Sequence, residues 1–204
     1  MQLHSLFESV KRFAAVALVS AGLAGAAQAA VSPTQFVEQI ANSTLDAVKQ
    51  SNSARGGNIS AINAIVNEKL MPHLNFEKTT RLATGQPWRT ATPAQKSGLV
   101  EAFKSTLVRT YSGAFKQVSS NTKINLQPFR GDPNANDVVV RSTIVADSGP
   151  VAVDYRLEKA GDSWKVYDFS VEGIWLIQNY RNQFSSQIAQ NGIDGLIKTL
   201  NQRK

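Results

Sequence analysis

Cysteine is absent from all 204 residues, and histidine occurs only at His4 and His73. The first absence excludes disulfides, thiolate nucleophiles and the lipid-bearing cysteine of a lipoprotein. The second excludes multi-histidine metal centres, so a zinc site would need carboxylates alone, an unusual set. Gly56-Gly57 stands by itself with neither G-x-G-x-x-G nor a Walker lysine, which removes phosphate-cradling nucleotide sites. Ser-His-Asp chemistry would have to recruit His73. That residue follows Pro72 with no nucleophile elbow in the chain, and reads as a packing or capping residue. Long apolar runs are missing too. The uncharged stretch 13–27 is shorter than the roughly 20 residues of a membrane span.

That stretch has another use. Lys11-Arg12 precede it and Ala27-Gln28-Ala29 closes it, the pattern of a secretory signal peptide over residues 1–29. The expected product is an exported, soluble, unanchored domain, residues 30–204, long enough to bury about 70% of its unfolded surface. Of 22 basic and 15 acidic residues, removing Lys11, Arg12 and Glu8 leaves 20 and 14, a formal charge of +6. For an exported protein that charge points to anionic lipid head groups or acidic protein surfaces and not to nucleic acid. The basic residues are scattered, as on an ordinary solvated surface.

Ser32-Pro33-Thr34-Gln35 predicts a capping box with proline at the first helical position, ahead of an apolar face at Val37, Ala41, Leu45 and Val48. Ile59, Ile62, Ile65 and Val66 mark a short helix stopped by Pro72, and residues 75–85 a third piece ended by Gly85. Thr92-Pro93-Ala94-Gln95 repeats the capping box before the longest helix, striped by Val100, Phe103, Leu107, Tyr111, Ala114 and Val118. After residue 120 the period becomes two. TKINLQPF, DVVVRSTIVA, VAVDYRLEKA and SWKVYDFSV predict four strands joined by short polar turns, hence an antiparallel meander. In the third, Val151, Val153, Tyr155 and Leu157 alternate with Ala152, Asp154, Arg156 and Glu158. Asp154 and Asp168 suggest a carboxylate pair across neighbouring strands, although pairing with Arg156 or Arg181 is the simpler role. Two terminal helices, broken at Gly192, complete an α+β domain: helices packed on one face of a curved four-stranded antiparallel sheet.

Every helix and one sheet face therefore carry apolar side chains, and Ile174-Trp175-Leu176 adds a bulky triplet at the last strand-to-helix corner. A curved sheet with helices across its concave side packs such surfaces into a solid core or leaves a cavity between them. Periodicity does not separate the two.

A longer pattern does. Pro72-His73 and Phe76 are followed by Gly85, Trp88-Arg89, Thr92-Pro93-Ala94-Gln95, Phe103, Leu107 and Thr110-Tyr111. WKVYDFSVEG, a hydrophobic triplet and NYRNQF follow, then Gly192-Ile193-Asp194-Gly195-Leu196. In this order the motifs resemble the MlaC family across essentially all of residues 30–204. Two positions depart from its pattern: Asn75, where relatives often have Asp, and Trp175, where many have Ser. The resemblance implies a monomeric periplasmic phospholipid-binding protein, auxiliary to an ABC transporter, with no cofactor and no catalytic role. Its implied partners are a phospholipid with both acyl chains buried and its head group exposed, an inner-membrane MCE-domain protein and an outer-membrane lipoprotein-porin complex. The implied purpose is outer-membrane lipid asymmetry.

Under that reading the wall of an apolar lipid cavity takes Leu82, Phe103, Leu107 and Tyr111 from the helices. The strands supply Val138, Val140, Val151, Val153, Tyr155 and Val166, and the corner adds Ile174, Trp175 and Ile177 towards the rim. Two other classes fit the composition. An exported small-molecule enzyme on a cone-shaped curved sheet needs a carboxylate or tyrosine poised inside. A protein-binding adaptor needs a filled core and an exposed apolar patch.

Overall fold

A computed structural model describes residues 31–132 and 134–202; the expected signal peptide lies outside the described residues. Both capping boxes form. Ser32 Oγ accepts from the Gln35 amide at 3.2 Å while Gln35 Oε1 accepts from the Ser32 amide, opening α1 (Pro33–Gln50). Thr92 and Gln95 make the same reciprocal pair at the head of α5 (Pro93–Lys116), each box satisfying two otherwise orphaned amides. Between them run α2 (Asn52–Arg55), α3 (Ile59–Ile65) and α4 (Phe76–Thr84). Helix α3 does not simply stop. It widens into a π turn at Val66–Leu70 and tightens into a 3-10 turn at Met71–His73, around the proline that cannot continue an α-helix. Leu74 then forms a parallel bridge with Val166, so this segment joins the edge of the sheet.

The sheet has five strands where four were expected: β1 (Lys123–Leu126), β2 (Asp137–Ala146), β3 (Gly149–Ala160), β4 (Ser163–Val171) and β5 (Ile174–Trp175). They lie in sequence order, each antiparallel to the next. The fifth was missed because two residues carry no period. It exists because Glu172 and Gly173 both take positive φ (51° and 80°), the geometry of a two-residue hairpin turn, which pairs Val171 with Ile174. Glu172 also accepts from the Ala152 amide with its carboxylate, pinning the turn to β3.

One irregularity decides which side chains face inward. Leu157 pairs with Val166 but Arg156 pairs with Asp168, so Tyr167 is an extra residue on β4, a β-bulge. Val166 and Phe169, three apart, therefore share the inner face with Leu157 and Tyr155, whereas simple alternation from Val166 would turn Phe169 outward. Bulges also bend and twist the strand, as the curvature of this sheet requires.

Helix α6 (Leu176–Gln202) spans both predicted terminal helices. Its break is Gly192, at φ 67° and ψ −177°, a backbone state essentially confined to glycine. At its far end the Leu200 carbonyl accepts from Arg109 at 2.6 Å and from Thr106 at 3.1 Å, which ties the C-terminus of α6 to α5. Helices α4, α5 and α6 thus form one bundle, with α1 lying on the sheet beside it.

Candidate functional site: an apolar cleft between α5 and the sheet

The apolar side chains separate into three clusters rather than one. Phe76, Trp88, Leu99, Phe103, Tyr180 and Phe184 centre the α4–α5–α6 bundle. Phe36 and Val37 of α1 close on Val138, Val140, Leu157, Trp164 and Val166 of the sheet. Val48, Ile62, Ile65 and Val108 join α1, α3 and α5. Helix α5 packs on other helices and meets the sheet through Tyr111, whose ring lies 6.0 Å edge-on from Phe169 of β4.

On the facing sides of α5 and the sheet several apolar residues are only half-buried: Leu107 and Tyr111 on α5; Ile124, Leu126, Ile144, Val151, Tyr155 and Phe169 on the sheet. Such partial access on an inner face points to an opening here, the candidate cleft, since close-packed interiors leave little of it. On the sheet wall Ser142 is completely buried and its Oγ donates to the Val153 carbonyl at 2.9 Å. The Tyr155 hydroxyl lies 3.4 Å from the same Oγ. Burial first, then the Asp154 carboxylate, holds the Tyr155 phenol above its ordinary range despite the opposing Ser142 contact. Tyr111 is raised by burial and by Tyr180.

Of the predicted wall residues, the structure brings Leu107, Tyr111, Val153 and Tyr155 to this cleft, with Val151 further along the same strand face. Phe103 lies deeper. It is fully buried among the rings of Phe76, Tyr180 and Phe184 at 4.8–5.6 Å, a packed centre and not a wall. Val138, Val140 and Val166 belong to the closed floor under α1. Ile177 is buried in the first turn of α6, its amide donating to Asp168, and Leu82 is a half-buried α4 residue outside the three clusters. The corner needs correcting. Trp175 pairs with Ser170 and so faces the outer side of the sheet, where the Arg156 guanidinium stacks 3.9 Å from its ring. Ile174 is 64% exposed. Phe169 and Ser142 were missed, the first because the bulge reverses its face, the second because a serine gives no apolar signal.

The outer face is polar and internally paired. Asn75 caps α4 by accepting from the Lys78 amide at 3.1 Å and donates to Glu158 at 2.6 Å; Lys78 reaches the other oxygen of that carboxylate at 2.5 Å. Burial pushes Glu158 up, but the hydrogen bonds from Lys78 and Asn75 outweigh it and hold the carboxyl below its usual range. The two candidate acids are each engaged by arginine: Asp168 with Arg156 at 3.0 Å, Asp154 with Arg141 at 3.7 Å. His73 packs edge-on against Phe36 at 5.8 Å, the packing role expected for it. Among the described residues no cluster of three or more His, Cys, Asp or Glu could hold a metal, and no helix is long and apolar enough to cross a membrane. A separate hollow of about 470 Å³ lies between the end of α4 and α6. Gln86, Gln178, Arg181, Asn182 and Ser185 line it, and such walls do not suit hydrocarbon.

The chain is similar to known proteins over most of its length. Residues 38–202 match the family described as MlaC protein. The toluene tolerance protein ttg2D of Pseudomonas putida is 29% identical over 174 residues, covering 84% of this chain and 80% of that one. The intermembrane phospholipid transport system binding protein MlaC of Haemophilus influenzae is 23% identical over 178 residues, covering 85% and 83%. A solved structure of the phospholipid-binding protein from Ralstonia solanacearum, in complex with a phospholipid, superposes with a TM-score of 0.81 at 38% identity. That alignment covers 85% of this chain and 97% of the other. With one family profile spanning most of its length and a mixed α+β fold in common with a phospholipid complex, the chain belongs to the MlaC family.

Proposed function

We propose that this protein is a periplasmic phospholipid carrier. It takes lipid between an outer-membrane lipoprotein-porin complex and the MCE-domain protein of an inner-membrane ABC transporter, and so maintains outer-membrane lipid asymmetry. What supports the reading is the set of half-buried apolar residues on the facing sides of α5 and the sheet, together with the 38% identical phospholipid-binding protein solved with a phospholipid. Two acyl chains expose on the order of 30 methylenes at about 0.8 kcal/mol each, so enclosure between such walls is strongly favoured over a surface groove. The head group stays in water, which is why no dedicated anion site is required of the chain. The protein acts by binding and release, not by catalysis, and its candidate acids serve as ion-pair partners of Arg141 and Arg156.

Native mass spectrometry of the mature protein, gently extracted from its own host, tests this. The expected result is a monomer carrying one two-chain phospholipid. A bare mass, together with no uptake from phospholipid vesicles, would refute it.

A further inference from the structure

The cleft wall is not uniformly apolar. Ser142 and Tyr155 place two hydroxyls side by side on the inner face of β2 and β3, among Val140, Val153 and Phe169. Their donor capacities differ. The single Ser142 proton is committed to the Val153 carbonyl at 2.9 Å. The Tyr155 hydroxyl has Ser142 Oγ as its contact at 3.4 Å, well beyond the roughly 2.7–2.8 Å at which O–H···O bonds cluster. Its own proton therefore has no close acceptor among the described residues. The phenol stays protonated at any physiological pH, since burial raises it from 10.0. Ser142, bonded to the backbone, holds its oxygen beside the tyrosine hydroxyl.

We propose that the Tyr155 hydroxyl, steadied by Ser142, donates a hydrogen bond to an ester carbonyl of the bound lipid, so that the cleft favours ester-linked over ether-linked chains. This rests on the carrier reading. Apolar side chains flank the pair, so an organic ligand lying against it is mostly hydrocarbon with an acceptor placed at the hydroxyl. A diacyl lipid presents such an acceptor where its chains join glycerol. The head group plays no part in the contact, and selection falls on the linkage.

The test offers delipidated protein equimolar mixed vesicles of dioleoyl phosphatidylglycerol and its dioleyl ether counterpart, with native mass spectrometry reading which lipid is captured. Wild type should take the ester lipid in about three- to tenfold excess over the ratio shown by Tyr155→Phe, the worth of one net hydrogen bond. Ser142→Ala should fall between the two. Equal capture of the two lipids by wild type overturns the proposal while leaving the carrier reading intact, as does an unchanged preference in Tyr155→Phe. If Tyr155→Phe does not fold, an undiminished preference in Ser142→Ala overturns it. Failure of wild type to capture either lipid overturns both.

Discussion

Arg156 and Asp168 face each other across β3 and β4 at 3.0 Å, with the aspartate side chain wholly inaccessible and the arginine 38% exposed. The other Asp168 oxygen accepts from the Ile177 amide at 3.1 Å, so one buried carboxylate ties the outer face of the sheet to the first turn of α6. Burial raises the Asp168 carboxyl, and the Ile177 amide and Arg156 oppose that shift. Removing the arginine leaves a buried charge with only the Ile177 and Phe169 backbone amides. Arg156→Ala should destabilise the fold by about 2–3 kcal/mol, below the usual cost of breaking a fully buried pair because the arginine is partly solvated. Asp168→Asn keeps an acceptor for Ile177 and should cost less. Urea unfolding midpoints at neutral pH rank the two; an Arg156→Ala midpoint equal to wild type would show that the pair is idle.

The Asn75 side-chain amide is used at both ends. Its oxygen caps α4 and its nitrogen donates to Glu158. An aspartate would keep the cap but set a second carboxylate at hydrogen-bond distance from the first. Asn75→Asp should therefore lower stability by about 1–3 kcal/mol, and adding Glu158→Gln should recover most of it. Thermal midpoints of the two single variants and the double variant decide the coupling. Additive losses would contradict it.

His73 supplies an acid sensitivity. Burial, then the nearby Lys165, lowers its folded pKa below the ordinary 6.5. The unfolded chain then binds a proton that the folded chain resists, so stability is retained above pH 6.5 and lost as pH falls below it. Replacing His73 by Gln removes the titration and should flatten the decline of thermal midpoint between pH 7 and 5. An identical slope in the variant would assign the decline to other groups.

The fold was legible where a local signal was strong. Two capping boxes, the three-and-four stripe of α5 and the alternation of β3 gave the helix starts, the meander and the α+β class. What stayed hidden depended on single backbone states. The Tyr167 bulge reverses the face of Phe169, and the positive φ of Glu172 makes a strand of two residues; neither leaves a periodic trace. Trp175 looked like a pocket residue because it is large and apolar. Its side of the sheet is fixed by pairing with Ser170, and a guanidinium covers it there. Phe103 and Tyr111 share one stripe, yet one is core and the other borders open space. Only their burial in the folded bundle separates them.

That difference yields the sharpest prediction. Tyr111 is half-buried at the cleft, and an aspartate there can be hydrated once the cleft holds no lipid, so the fold should survive Tyr111→Asp. Hydrocarbon cannot share the space with a charge, so bound lipid should be lost. Phe103, two turns earlier, is fully enclosed by three rings; Phe103→Ala should cost about 3–5 kcal/mol through the cavity it leaves. Trp175→Ala should forfeit about 0.5–2 kcal/mol of stacking on Arg156 and leave lipid content unchanged, since the ring faces away from the cleft. Lipid content by mass spectrometry and the thermal midpoint, measured together on the three variants, give three distinct patterns. If Tyr111→Asp unfolds cooperatively below the Phe103→Ala midpoint, or keeps its lipid, then α5 closes on the sheet and the cleft is a core.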